Sequence, residues 1–225
     1  MTEMAEKLKP TGHTIYKDTE SKRLPGVTTI IDVLAKPQLI TWANRMGLAG
    51  VDTTKYVDNL ADIGTLAHFL ILCQFRGAVP DLSDFTENQI MAASNALVSF
   101  TSWKEHHELE PILVEQPLVS QKLRIGATPD FFGVLDGIAT LIDFKTGRAL
   151  YVEVLLQLAG YELILEEHEW TVEQARAVRV GREAGEGFEV IEFSKEDLLA
   201  GRGAFLSCLA LYRQMQAIRK NHWKR

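Results

Sequence analysis

The chain has 225 residues, 46% of them hydrophobic, enough for one sizeable core with an extension. Its 24 basic and 30 acidic residues give a formal net charge of −6, which is awkward for a nucleic-acid enzyme but leaves the question open, since five of the basic residues gather, with no acidic one, between Arg213 and Arg225. Cys73 and Cys208 lie far apart in apolar surroundings, arguing against zinc, an iron–sulfur cluster or a disulfide framework, and neither an apolar run of roughly 18 residues nor a secretory leader in MTEMAEKLKPTGHT is present, so an intracellular protein without a membrane partner is expected.

Residues 1–23 read as an extended N-terminal segment. PGVTTIIDVLAKPQLITWANRMG then opens a helical region, 24–110, with Thr28 or Thr29 as N-cap and an interruption at Pro37. A second helix is expected near 38–49. A third is expected over 57–76, where Leu60, Gly64, Ala67, His68, Ile71 and Cys73 recur at near-helical spacing. Thr86 caps a further helix, over 86–108, before Pro111. From residue 111 the pattern changes: ILVEQPLVS, RIGATPDFFGVL and IATLIDFKTG predict a three-stranded antiparallel meander, with Asp136-Gly137 as a two-residue hairpin turn. Helix returns over about 152–166, strands follow near 174–182 and 187–194, and Ser194, with Asp197 three residues on, caps a last helix with a basic end. Residues 111–225 thus form one α/β core.

The candidate chemistry centres on GATPDFFGVLDGIATLIDFKTG. Strand side chains alternate, so Asp143 and Lys145 share one face while Ile142 and Phe144 turn into a core. With Asp130 across the turn, two carboxylates can hold a hard divalent cation through oxygen, and the lysine adds a compact movable charge. Each residue also has a plain reading. Asp143 and Lys145 could be a solvated pair, Asp130 a turn residue after Pro129, and His68, in the apolar run LAHFLIL, a core histidine. Gln157 and Tyr161, at i and i+4, share a helix face and could be a half-buried polar stripe. Glu115 either completes the acid cluster or pairs with Lys122 or Arg124. Arg148 and Arg124 are candidate phosphate contacts or surface charges, and Trp42, Tyr56 and Trp103 either stack unpaired bases or fill the core.

Taken in order, His68 in GTLAH, Glu115 in VEQPL, Asp130 in GATPD, Asp143 and Lys145 in DFK, and Gln157 and Tyr161 in QLAGY resemble the PD-(D/E)XK nucleases, and among them the RecB-like exonucleases. PGVTTIIDVL and the tryptophan helix after it are similar to the PSVT element of phage-type members and of mitochondrial genome maintenance exonuclease, with Gly26 where serine is usual. The resemblance spans about 24–205. It implies a restriction-endonuclease-like α/β (α+β) core, a mixed five-stranded sheet flanked by helices, and metal-dependent hydrolysis of DNA at ends or in single strands. It further implies one or two Mg²⁺ or Mn²⁺ held by His68, Asp130, Asp143 and the Phe144 carbonyl. Lys145 would orient water, and Glu115, Gln157 and Tyr161 would complete the catalytic set. DNA is the implied partner, with a recombination or single-strand-binding protein as a further candidate, in the cytoplasm of a bacterial or phage-infected cell. A structure-specific endonuclease, a noncatalytic DNA-binding recombination module and an unrelated acidic α/β interaction domain are the alternatives.

Overall fold

The structure, a computed structural model, describes residues 6–10, 12 and 14–223. In chain order the elements are β1 (Lys7–Leu8), α1 (Val27–Ile31), α2 (Pro37–Leu48), α3 (Thr53–Arg76), β2 (Val79–Pro80), α4 (Glu87–Lys104), β3 (Leu109–Val114), β4 (Leu118–Ser120), β5 (Ile125–Ala127), β6 (Phe131–Leu135), β7 (Ile138–Lys145), α5 (Glu153–Glu167), β8 (Gln174–Val180), β9 (Phe188–Phe193) and α6 (Lys195–His222). Five strands form a mixed sheet in the order β3-β6-β7-β8-β9, in which only β7 and β8 run parallel. The helix between them, α5, is the crossover that a parallel pair requires. A mixed five-stranded sheet flanked by helices is thus what the sequence pattern and the resemblance led us to expect.

The period-two pattern of the strands decides which helices cover which face. Phe132 and Leu141 pack with α1, α5 and α6 through Ile30, Leu158, Ile164, Phe205 and Leu209. Their neighbours Phe131, Ile142 and Phe144 point the other way, into α3 and α4, among Leu66, Leu70, Phe100 and Trp103. Burying both faces explains why β6 and β7 read as nearly continuous apolar runs. The β6–β7 turn is built by Asp136 at φ 52° and Gly137 at φ 85°, two left-handed residues in succession, as the Asp-Gly pair predicts.

Several details differ from expectation. Neither Thr28 nor Thr29 caps α1; Gly26 stands at its N-cap with no side-chain bond, and the helix is held by a parallel bridge between Gly26 and Gly126. Pro37 begins α2 rather than merely ending what precedes it, because a missing N–H costs nothing at a first helical position. The meander is also cut. Glu115 at φ 49° and Arg124 at φ 50° turn the chain, so β4 and β5 leave the main sheet as a separate hairpin. Ser194 and Asp197 form the expected capping box on α6, and Thr86 forms one with Gln89 on α4.

Two further features bear on the site. No residue of α2 is buried, so this helix stands against the body on one side only. Residues 16–26 strap back over β5, where the Tyr16 ring lies so close to Gly126 that a Cβ there would come within 2.0 Å of Tyr16 Cγ.

Candidate active site

His68 sits in the middle of α3, Glu115 just after β3, Asp130 at the start of β6, and Asp143 and Lys145 at the end of β7. The sheet brings the last four together because β3 and β7 both pair with β6. His68 reaches them because the apolar side of α3 lies on the sheet, through Leu66, Phe69 and Leu70. Its Nδ1 is 3.1 Å from Asp130 Oδ1 and 3.2 Å from Glu115 Oε1. One ligand atom from each of His68, Glu115 and Asp130 falls within 4.8 Å of the others. Of the two readings for Glu115, then, the structure takes the acid cluster. The second Asp130 oxygen accepts from the Phe144 amide at 2.6 Å, which ties the carboxylate to β7.

Asp143 is turned to a second group. Lys145 Nζ is 2.6 Å from Asp143 Oδ2 and donates to Gln157 Oε1 at 3.1 Å. Gln157 Nε2 in turn donates to Asp143 Oδ1 and to the Tyr161 hydroxyl, both at 2.6 Å. The i, i+4 spacing on α5 thus places both polar groups of one helix face against one carboxylate and its lysine. The residues expected at the site converge in two adjoining sets, with Asp143 in the lysine set and outside the 4.8 Å grouping.

Burial and charge set the protonation states. Burial disfavours a charged His68, but Asp130 and then Glu115 outweigh it and hold its pKa well above the ordinary value. Burial likewise opposes ionisation of Asp130, which His68 and Lys145 nevertheless hold below the ordinary carboxylate range. Glu115 is raised, by burial first, despite His68 beside it. Burial pushes Asp143 up to about 6 against the attraction of Lys145, with Asp130 adding repulsion. Lys145 is raised because Asp143 and Asp130 override its burial, and Tyr161 is raised well above 10, by burial first and then by Asp143, so it is a phenol and not a phenolate at neutral pH.

This donor set fits a hard divalent cation: an imidazole nitrogen and carboxylate oxygens, three acidic groups crowded against two cationic side chains. Asp143 Oδ2 makes the same point. It is shut off from solvent and, although Lys145 Nζ is within ion-pair range, has no hydrogen-bond donor. An oxygen in that state gains from a further cation.

The remaining candidates lie elsewhere. Arg124 is held by Asp18, with Nη2 2.8 Å from Oδ2. Arg148 lies in the exposed loop between β7 and α5. Trp42, on α2, packs on Tyr56 with ring centroids 6.0 Å apart. Trp103 is 1% exposed and belongs to the core, so it stacks no base. Gly64, one turn before His68, lies beside the exit of β7: a Cβ there would stand 3.3 Å from Thr146 Oγ1. Tyr16 and Thr128 went unnoticed in the sequence. Their hydroxyls are 2.9 Å apart, and Tyr16 feels Glu115 closely enough for its pKa to rise, mostly through burial. Only the adjacency of Thr128 to Pro129-Asp130 could have signalled either.

Cavities open on three sides. One of about 670 Å³ joins His68, Glu115 and Asp130 to Lys9 and Arg76, and one of about 700 Å³ runs from Glu115 past Thr65 and Thr128 to Thr29 and Arg23. A third, of about 390 Å³, lies over Lys145 and Gln157.

No protein-family model matches the chain, and no curated protein matches it by sequence. Among solved structures it is similar to the alkaline exonuclease LHK-Exo of Laribacter hongkongensis, at 10% identity and a TM-score of 0.40, over 86% of this chain and 93% of that one. A second structure, LHK-Exo in complex with dAMP, gives 12% identity and a TM-score of 0.36 over 72% and 89%. The chemistry is read from the side chains themselves.

Proposed function

We propose that the protein is a deoxyribonuclease that hydrolyses phosphodiester bonds with Mg²⁺ or Mn²⁺, acting as an exonuclease on DNA ends or single strands. One observation carries this reading: His68, Glu115 and Asp130 converge to within 4.8 Å directly beside a buried Asp143–Lys145–Gln157 network. His68, Glu115 and Asp130 would hold the ion, with Asp143 alongside. When bound, such an ion lowers the pKa of a water and offsets the charge of the attacked phosphate.

The chain's own groups supply the rest. Lys145 keeps its proton, since Asp143 and Asp130 raise its pKa, and so presents a fixed cation. A compact ammonium there can hold the attacking water and stabilise charge that develops on the phosphoryl oxygens. Gln157 Oε1 and Asp143 Oδ2 hold that ammonium from two sides, and Tyr161 holds Gln157 by accepting its second amide bond. Because the amide accepts through Oε1 and donates through Nε2, it is locked in one orientation by partners of opposite demand. The exonuclease mode rests on the ordered motifs from His68 to Tyr161 that resemble the RecB-like enzymes.

The test uses end-labelled linear DNA and covalently closed single-stranded circles, with Mg²⁺, Mn²⁺ or EDTA. Metal-dependent loss of the linear strands with intact circles is expected. Cleavage of circles would replace the exonuclease with an endonuclease. Cleavage in EDTA, or undiminished cleavage by Asp143→Ala protein, would overturn the site itself.

A further inference from the structure

The cavity of about 390 Å³ over Lys145 differs in character from its two larger neighbours. It is a slot between α2 and the start of α5. It is lined by Lys36 and Leu39 at the start of α2, by Tyr151 and Val154 at the start of α5, and by Lys145 and Gln157. Its size lies at the lower end of the roughly 300–1,000 Å³ of small-ligand sites. Whatever enters it is held against the ammonium assigned above to the cleavage step.

Two of its lining residues are exposed and apolar. Tyr151 exposes 61% of its surface and has no aromatic neighbour among the described residues, and Leu39 exposes 50%. A flat aromatic ring with an aliphatic side chain gives a planar apolar ligand a surface to pack on. Polar groups stand at the edges. Lys36 at the rim is ion-paired with Asp32 at 3.3 Å, and Thr28, Gln38 and Glu153 offer further donors and acceptors. Exposed Tyr151 and Leu39 in one cavity with the Lys145 ammonium suit a nucleobase joined to a phosphate. A paired base cannot enter, because its edge is bonded to its partner and its faces are covered by its neighbours in the stack.

We propose that this slot binds one unpaired nucleobase of the strand being cut, stacked on Tyr151, so that the nucleotide beside the scissile phosphate must be single-stranded. The assignment rests on the nuclease reading given above. It supplies a reason for single-strand selectivity that the acidic cluster alone does not contain. Stacking on an aromatic side chain is tolerant of sequence, so the selection is for strandedness and not for a particular base.

The experiment measures binding by fluorescence anisotropy in EDTA, with dye-labelled oligo-dT, with the same oligonucleotide carrying one abasic site moved stepwise along it, and with a blunt duplex. Tyr151→Ala is expected to weaken binding of the intact single strand about five- to a hundredfold, and Tyr151→Phe to leave it near wild type. One abasic position should weaken wild-type binding to the same extent, and Tyr151→Ala should add nothing there. Melting temperatures of both variants, which change only an exposed side chain, verify that they are folded. Undiminished binding of the single strand by Tyr151→Ala overturns the proposal, as does an equal loss for the duplex or a wild-type protein that binds no single strand. If wild type cleaves DNA with metal while Tyr151→Ala binds normally, only the slot is refuted; if wild type cleaves no DNA, the nuclease reading fails with it.

Discussion

The two halves of the site are built differently although they touch. The half made by His68, Glu115 and Asp130 draws on three separate elements, and its contacts are ionic ones made at the groove surface; the His68 side chain is 27% exposed. The half made by Asp143, Lys145, Gln157 and Tyr161 draws on only β7 and α5, and its Asp143 is 1% exposed. The first arrangement points its ligand atoms at one another, where an ion can replace the contacts between His68 and the two carboxylates. The second spends its hydrogen bonds on fixing one ammonium. Binding and turnover should therefore separate on mutation.

The largest effect should come from the lysine half. Lys145→Met is expected to lose on the order of a hundred- to a thousandfold in the rate of Mg²⁺-dependent DNA hydrolysis while keeping its Mn²⁺-induced rise in melting temperature. A variant that lost both would show that the halves do not separate. The converse is Asp130→Ala, which should lose the melting shift itself. An ion at a hundred times its dissociation constant stabilises a folded protein by about 2.7 kcal/mol, and this increment should vanish. Because Asp130 also accepts from the Phe144 amide, activity should be lost with it.

The third effect is on pH dependence. Asp143 is raised from 3.8 to about 6, so between those values the folded protein holds a proton that the unfolded chain has released. Its stabilising contribution is complete below about pH 4 and lost as pH rises through 6. His68, also raised, acts in the same sense: its contribution is complete below about 6.5 and lost on passing its higher folded value. In EDTA, stability should therefore fall by about 2 kcal/mol between pH 5 and pH 7.5, a trend that saturating Mn²⁺ should remove. A denaturation series flat across this range in EDTA would show that folding raises the pKa of neither group. The smallest effect lies outside both halves. Tyr16→Phe removes one hydrogen bond, to Thr128, and should cost about 0.5–1.5 kcal/mol by chemical denaturation, leaving the metal shift in place.

How much of this was legible in the sequence follows from the range of each interaction. Asp136-Gly137, the Thr86 and Ser194 caps, and the shared face of Gln157 and Tyr161 are local, and periodicity or turn chemistry reveals them. The opposite faces of Asp143 and Phe144 follow from the strand pleat alone. What did not follow is long-range. Nothing near Glu115 chooses between Arg124 and His68, since that choice depends on a positive-φ turn after β3 and on where α3 comes to rest. The choice between stacking and core for Trp103 was open for the same reason: its helix is buried on the side that carries it, and exposure is decided by packing. Tyr151 was overlooked because a single tyrosine after a turn has no pattern; its cavity is lined also from α2, more than a hundred residues earlier.

The strap of residues 16–26 has a consequence for the order of assembly. Tyr16 meets Thr128 across 112 residues and Asp18 meets Arg124 across 106, so these contacts close loops spanning about half the chain. Closures of that length are entropically disfavoured until the β4–β5 hairpin exists to receive them, and contacts so distant in sequence slow folding. Residues 16–26, although made before the hairpin, are thus among the last to dock. The wall of the groove beside Glu115 is completed only then, so a partly made chain does not yet contain the finished groove.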